Sequence, residues 1–322
     1  MQLPLMGTLE QAAPCRDSLG RMAIDSSAPF EVPLPVGVAV QLACAIAMPV
    51  VFGPSRARRM LAISVTAIGF VFPLLLRVPG PPAVRTVLMG LGCLALFKLL
   101  DFLKMRTQLS MAARVWYANT PFDTRAVRRV PNGAPATLVL SVCAFVVASV
   151  LAAQALLSHP EMGAPRWLLG AVFVYCGLDA VTGLVRLGYL LGGMEIPAMH
   201  RAPILSRTLM EFWGQRWNRP VHGWLKAHCF AWLARRRMAL LGVLAAFAGS
   251  GVLHYLLVVV STTLWPAICA ALFFVVHAGL VWLERKMAVS RWPPLASWLW
   301  TCSAVLLTSP LLVEGTLQSI GL

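Results

Sequence analysis

Eight apolar stretches, each close to the length that crosses a lipid bilayer, restrict this chain to one broad class of fold. A helix rises about 1.5 Å per residue, so roughly 20 apolar residues cross the hydrocarbon layer. Only 12% of the residues are charged, against about a quarter in soluble domains. We therefore predict an all-α, polytopic integral membrane protein with about eight transmembrane helices. The predicted spans are 34–53, 60–76, 84–103, 136–157, 167–191, 238–260, 264–283 and 294–313.

The beginning of the chain departs from this pattern. Prolines such as Pro4, Pro14 and Pro29 interrupt it, and it lacks the basic segment and apolar core of a secretory signal. We predict a flexible lead-in over 1–33 and a single membrane-embedded domain over 34–322. The eight cysteines fall mostly singly inside apolar stretches, without a Cys-x-x-Cys motif, and are typical of small core residues. We expect no permanently bound cofactor and no metal site.

The basic residues alternate between the two sides of the predicted membrane. Most of the 27 lysines and arginines follow the first, third, fifth and seventh spans. Positively charged loops are typical of the cytoplasmic side, so we predict that these loops are cytoplasmic and that both termini lie on the opposite side. The net charge of +15 is then explained largely by topology. We expect membrane lipids as partners, and no nucleic acid.

The polar segment between the fifth and sixth spans has a helical pattern. Residues 205–219 form two rows with a spacing of four residues, one of apolar and aromatic side chains and one of polar side chains. Because a two-residue offset turns a helix by about 200°, the rows lie on opposite faces, as in an amphipathic interfacial helix. We expect Ser206 to cap this helix and Pro220 to end it near Asn218. The pattern alone favours a membrane-surface anchor over a binding site.

The same segment carries a specific motif. The run from Arg207 to Asn218, Arg-Thr-Leu-Met-Glu-Phe-Trp-Gly-Gln-Arg-Trp-Asn, resembles the signature of the wax-synthase branch of the membrane-bound O-acyltransferases. Two tryptophans, the glycine and the terminal amide are in register with that signature. The resemblance covers about the C-terminal half of the chain, whereas residues 1–130 share only hydrophobicity.

A histidine in the next predicted span fits the resemblance. His254 follows the sequence Gly-Ser-Gly, and the family has an essential histidine in this span. An ionisable group inside a span usually marks function, although a histidine that bonds across a helix interface is an equal alternative from the residues alone. Plant members often have an acidic residue after this histidine, where this chain has Tyr255. What orients His254 is therefore open, and Ser250 lies within reach of its ring.

The resemblance implies a reaction and its participants. The donor would be acyl-CoA, a cosubstrate, and the acceptor a hydroxyl of a lipophilic molecule, with a long-chain alcohol and wax-ester synthesis as the first expectation. His254 would act as general base, and Asn218 would position it or the thioester, or donate to the developing oxyanion. The residues expected to bind acyl-CoA are Trp213, Arg216, Trp217, Arg219 and Ser250. A membrane carrier or channel and a catalytically inactive lipid-binding scaffold are the competing interpretations.

Other ionisable residues in or near the spans have simpler explanations. His277 is surrounded by bulky apolar residues and is expected to be structural or to line a cavity. His222 and His228 could form a metal pair, but no acidic residue or cysteine lies at ligand spacing. We expect two pairs of opposite charges within spans, which are Asp179 with Arg186 and Lys98 with Asp101.

Overall fold

The computed structural model describes residues 31–75, 78–105, 109–159 and 162–322, and its regular structure is almost entirely helical. The first half of the chain forms α1 Leu34–Val51, α2 Arg56–Leu75, α3 Pro82–Lys104, α4 Met111–Ala118, α5 Ala136–Ser158 and α6 Gly163–Leu191. The second half forms α7 Leu209–Glu211, α8 Arg219–Leu225, α9 Ala231–Arg235, α10 Ala239–Val259, α11 Leu264–Lys286, α12 Pro294–Thr308 and α13 Pro310–Ile320. Single 3₁₀ turns occur at Thr124–Ala126, Pro203–Leu205 and Val289–Arg291, and the short strands β1 Arg128–Arg129 and β2 Met194–Glu195 pair antiparallel.

The membrane spans agree with the sequence prediction. Within the described ranges, seven helices (α1, α2, α3, α5, α6, α10 and α11) are long and apolar enough to cross a membrane. The predicted span 294–313 is α12 and α13, which meet at a bend of 49° and bring the number to eight if the pair is one span. Pro310 explains the break, because its ring fixes φ and it has no backbone N–H to donate. The protein is a multi-pass integral membrane protein.

The helices pack in neighbouring groups: α1 with α2 and α3, α5 with α6, and α10 with α11. The last helix, α13, contacts α3, α6, α10 and α11 and so joins these groups. Small residues allow the close approaches that membrane helices need. A Cβ at Gly92 would lie 2.7 Å from the carbonyl oxygen of Gly69, so α3 and α2 meet backbone to backbone there. Large apolar side chains such as Leu140 and Leu307 are exposed on the outside, where lipid would cover them.

The prediction of one amphipathic helix over 205–219 is wrong. Ser206 is extended and its hydroxyl donates to the carbonyl of Pro203, while Thr208 caps α7 by accepting from a backbone N–H. A wider π turn, Phe212–Arg216, follows α7, and the N–H of Trp217 donates to the carbonyl of Phe212 over 2.8 Å. Pro220 lies in the first turn of α8. It therefore marks the start of that helix, and not only the end of the preceding turn.

Tertiary contacts account for this departure. The ring of Trp213 does not anchor at the surface, because it packs edge-on to Phe247 of α10 and to Phe273 of α11, with centroid distances of 6.0 Å in both cases. Trp217 instead stacks on Phe212 at 5.6 Å. A regular helix would direct both tryptophans to one face, whereas the π turn sends them to different neighbours.

The segment also extends along α10 rather than lying outside the bundle. A second π turn, Lys226–Phe230, continues α8. A Cβ at Gly242 would lie 2.8 Å from the ring of Phe230, and one at Gly249 would lie 3.1 Å from Leu225. These glycines are seven residues apart, about 10 Å along the helix axis. The segment therefore enters the bundle to the middle of α10.

Candidate active site

A cavity of about 860 Å³ lies between α10, α11 and the segment that contains α7 and α8. Its inner part is lined by aromatic and aliphatic side chains of α10 and α11. Its outer end is formed by exposed basic side chains. From Ala239 to His254, both of which line the cavity, α10 advances about 22 Å. The cavity is long enough to connect the exposed basic end with a histidine deep in the bundle.

His254 is half-buried and lines this cavity. Its Nδ1 lies 2.8 Å from the carbonyl oxygen of Ser250, one helical turn earlier. A carbonyl only accepts hydrogen bonds, so Nδ1 carries the proton and donates, and the lone pair is on Nε2. The ring of Phe274 lies 4.3 Å away, between centroids, and supports the imidazole from α11. The backbone of Ser250, rather than an acidic neighbour, therefore orients His254.

The glycines on either side of Ser250 allow neighbouring helices to approach α10. A Cβ at Gly251 would lie 3.2 Å from the carbonyl oxygen of Ala271, and one at Gly249 would contact Leu225. The small-residue stretch before His254 thus lets α11 and α8 approach α10 closely. This packing holds the histidine between two helices.

Asn218 lines the same cavity in an unusual backbone conformation. Its φ is +35° and its ψ 58°, in the left-handed region that asparagine tolerates better than most residues. Its carbonyl accepts from the N–H of His222, but its side chain makes no capping bond. The side-chain Oδ1 is buried and has no hydrogen-bond partner in the described part of the chain. A buried acceptor left unpaired costs about 1–3 kcal/mol, which a bound donor would recover.

Five of the seven residues proposed from the sequence line the cavity together. They are His254, Asn218, Trp213, Trp217 and Ser250. Arg216 and Arg219 do not line it. Their guanidinium groups bond to the protein instead. Arg216 donates to the carboxylate of Glu211 at 2.6 Å, and Arg219 donates to the carbonyl of Ala198 at 3.0 Å.

The segment that contains Asn218 and His254 is similar to a known protein family. Residues 196–276 match the sequence model described as "Membrane bound O-acyl transferase family". This match is a similarity to that family over about a quarter of the chain. The matched segment contains both Asn218 and His254.

The chain spans about half the length of the curated relatives it matches. "Probable long-chain-alcohol O-fatty-acyltransferase 7" of Arabidopsis thaliana is 33% identical over 156 residues, 44% of this chain and 46% of that protein. "Probable long-chain-alcohol O-fatty-acyltransferase 2" of the same plant is 32% identical over 149 residues, 42% and 43% of the two chains. "Acyl-CoA--sterol O-acyltransferase 1", also from Arabidopsis thaliana, is 25% identical over 154 residues, 44% and 45%.

The basic end of the cavity was missed by the sequence reasoning. It is lined by Lys226, Arg285 and Arg291, all exposed. The two arginines lie beyond the segment that matches the O-acyltransferase family, Arg285 in the last turn of α11 and Arg291 after that helix, and their spacing from Asn218 carries no signal. They reach the cavity because α11 runs back along α10 and ends beside the start of α10.

Glu284, which lies after the matched segment 196–276, fixes the start of α7. Both oxygens of the Glu284 carboxylate accept backbone N–H groups, from Leu209 at 2.5 Å and from Met210 at 3.2 Å. Glu284 is buried at the end of α11 and lines the cavity. It satisfies N–H groups in the first turn of α7, which no residue of α7 itself can reach.

His277 has the structural role expected of it. It is fully buried, and its Nδ1 accepts from the indole N–H of Trp213 at 3.0 Å. Its Nε2 lies 2.9 Å from the hydroxyl of Thr308, which donates its own proton to the carbonyl of Ala304. The imidazole is therefore neutral, with its proton on Nε2. His277 links the family motif to α12.

His222 and His228 do not form a metal pair. His222 lines the cavity, where burial and then the charge of Lys226 lower the pKa of its imidazole below the ordinary 6.5. His228 bonds instead to the carboxylate of Asp101 at 2.8 Å and to the amine of Lys104 at 3.0 Å. Among the described residues, no three His, Cys, Asp or Glu residues could hold a metal ion together.

The charge pair expected between Asp179 and Arg186 is wrong, whereas the charge of Asp101 does act on Lys98. Asp179 bonds to His200 at 2.9 Å, and Arg186 pairs with Glu195 at 3.6 Å. Each residue of α6 thus finds its partner in the chain that follows the helix. Lys98 donates to the carbonyl of Phe122, and Asp101 accepts from the hydroxyl of Tyr117 as well as from His228.

Proposed function

We propose that this protein transfers an acyl group from acyl-CoA to a hydroxyl of a lipophilic acceptor, with a long-chain alcohol as the first candidate. One observation carries the proposal. Nδ1–H of His254 is held by Ser250, which leaves the basic Nε2 available in a cavity that Asn218 also lines. The family match and the names of the plant relatives support the reaction class.

His254 would act as general base. As the acceptor oxygen attacks the thioester carbonyl, Nε2 takes the hydroxyl proton. The carbon–sulfur bond then breaks, and the proton passes to the departing thiolate, so that the products are an ester and free CoA thiol. General-base assistance of this kind contributes roughly 10²–10⁴-fold to the rate. The hydrogen bond to Ser250 keeps the ring in the required tautomer throughout.

Asn218 would complete the reacting centre. A carboxamide offers one acceptor and two donors, so it can hold a substrate and stabilise charge on the thioester oxygen. The unpaired Oδ1 gives a bound N–H or O–H group a partner. Because the Asn218 side chain makes no capping bond at the start of α8, it is available to a substrate.

The basic end of the cavity would receive the phosphates of CoA. Lys226, Arg285 and Arg291 are cationic and exposed, whereas the walls between them and His254 are mostly apolar. A donor with a charged head and its thioester at the far end of an extended arm matches that gradient. We propose that this end is cytoplasmic, in line with the positive-inside distribution of basic residues. Enclosing the thioester in the bundle limits its hydrolysis.

The test is His254→Ala in membranes supplied with labelled acyl-CoA and a panel of acceptors: long-chain alcohol, sterol and diacylglycerol. We expect ester formation to fall at least about 100-fold. The control is His159→Ala, which removes an exposed histidine after α5, outside the cavity lining, and should leave activity unchanged. Unchanged ester formation in His254→Ala would refute the catalytic role. If the wild-type protein forms no ester with any acceptor, a carrier or an inactive lipid-binding scaffold becomes the better interpretation.

A further inference from the structure

The turn that presents Asn218 is held from both sides by the stretch 198–202. The N–H of Arg201 donates to the carbonyl of Arg216, and the N–H of Arg219 donates to the carbonyl of Met199, each at 2.9 Å. The side chains add further bonds, Arg219 to the carbonyl of Ala198 and Arg216 to that of Arg201, both at 3.0 Å. Asn218 therefore lies between two anchored residues.

This support is needed because the turn is strained. A residue other than glycine in the left-handed region costs about 1–3 kcal/mol and persists only where its surroundings enforce it. The π turn before Trp217 is likewise an uncommon conformation. Without the stretch 198–202, neither would be expected to hold the Asn218 side chain in one place.

The stretch 198–202 is in turn fixed to the transmembrane bundle by a buried hydrogen bond. Nδ1 of His200 lies 2.9 Å from the carboxylate of Asp179, and both side chains are largely buried. Asp179 belongs to α6, outside the family segment. The His200 ring also lies against Trp217, at 4.7 Å between centroids. His200 thus touches the residue next to Asn218 and is tied to a rigid helix.

We propose that Asp179 and His200 are positioning residues that fix the Asn218 amide in the cavity. The inference rests on the proposed function of Asn218. Neither residue lines the cavity, so they act through Trp217 and the anchored turn. Loss of the bond between them frees the stretch 198–202 from α6. The turn relaxes and the reacting centre loses alignment, while the basic end of the cavity, formed by Lys226, Arg285 and Arg291, stays intact.

Two substitutions of His200 separate its bond from its ring. His200→Asn keeps an N–H near the position of Nδ1 and loses the ring, whereas His200→Phe keeps a ring against Trp217 and cannot bond Asp179. We expect His200→Phe to lower kcat by about tenfold to a hundredfold with little change in KM for acyl-CoA, as for a misplaced catalytic group. His200→Asn should recover most of the activity. Glu195→Gln, which breaks the ion pair of Arg186 on α6, is the control and should leave kcat unchanged.

A cycle with Asn218→Ala decides whether the effect passes through Asn218. If it does, His200→Phe lowers kcat in the wild type and has no further effect in the Asn218→Ala background. A decrease of the same factor in both backgrounds would overturn the inference and leave the proposed function intact, as would an unchanged kcat in the single variant. If Asn218→Ala itself retains full activity, the role of Asn218 fails and the inference fails with it. His254→Ala then tests the reaction independently.

An apolar double variant guards against misfolding. His200→Phe leaves the Asp179 carboxylate without this partner, which can destabilise a buried site. Asp179→Leu combined with His200→Phe removes the buried charge too, and such paired replacements are often close to neutral for stability. We expect this variant to remain folded, as judged by its thermal unfolding, and still to have the lowered kcat. A folded double variant with wild-type kcat would overturn the inference.

Discussion

The contact between α10 and α11 beside His254 makes a quantitative prediction for Gly251→Ala. The new Cβ would lie 3.2 Å from the carbonyl oxygen of Ala271 and 3.7 Å from its Cα. Both atoms belong to the backbone of α11, so no side chain can rotate away. The helices must separate by a few tenths of an ångström, three residues before the histidine.

Gly279→Ala on α11 is a matched comparison. Apart from the neighbouring residues and nearby backbone of α11 itself, no described atom lies within 4 Å of a Cβ at that position. Both variants gain the helix propensity of alanine over glycine, about 1 kcal/mol. Only Gly251→Ala also has the cost of overpacking, about 1–3 kcal/mol. The propensity gain cancels between the two, so Gly251→Ala should be less stable than Gly279→Ala by about 1–3 kcal/mol.

The measurement is thermal unfolding of both variants in the same detergent, with ester formation measured in parallel. A displacement of 1 Å at a reacting centre can cost about 100-fold in rate, so a few tenths of an ångström should lower kcat of Gly251→Ala about threefold to fivefold. Gly279→Ala should retain wild-type kcat. Equal stability of the two variants would refute the reasoning, since it would mean that α11 moves away without cost.

Three further predictions concern the surroundings of the cavity. Trp213→Phe leaves Nδ1 of the buried His277 unpaired and should lower the free energy of unfolding by at least about 1–3 kcal/mol; an unchanged unfolding temperature would contradict the assigned bond. Burial opposes ionisation of Glu211, but its hydrogen bonds, including one from Arg216, outweigh burial and lower its pKa below 4.5. Its ionised form is therefore stabilising above that pH. Glu211→Gln should lower stability by about 1 kcal/mol at pH 7, and the difference from wild type should vanish as the pH falls below 4.5; a pH-independent difference would argue against the pair. Arg285→Gln should raise KM for acyl-CoA about twofold to fivefold at unchanged kcat, with a smaller effect at high salt, as for one exposed charge pair; a salt-independent KM would exclude an electrostatic role.

The segment 205–219 marks the limit of sequence reasoning here. Its rows of every fourth residue predicted a surface helix, and the motif predicted that the segment contributes to a functional site. The rows depend only on spacing along a regular helix. The π turn and the left-handed Asn218 depend on the burial of Trp213 against α10 and α11 and on bonds to 198–202. These partners are distant in sequence, and their contacts outweigh the local helical preference.

The sequence alone determined the helical membrane class, about eight spans, the family motif, and His254 and Asn218 as the candidate pair. The class and the spans follow from apolar length and charge alternation, and the candidate pair follows from the resemblance to the wax-synthase signature; neither needs knowledge of packing. Only the tertiary structure decided that Arg285 and Arg291 form the basic end of the cavity and that Asp179 pairs with His200. The physical reason is that spacing within a span defines which residues share a face. Which faces meet, and which turn enters the bundle, depends on how all the helices pack together.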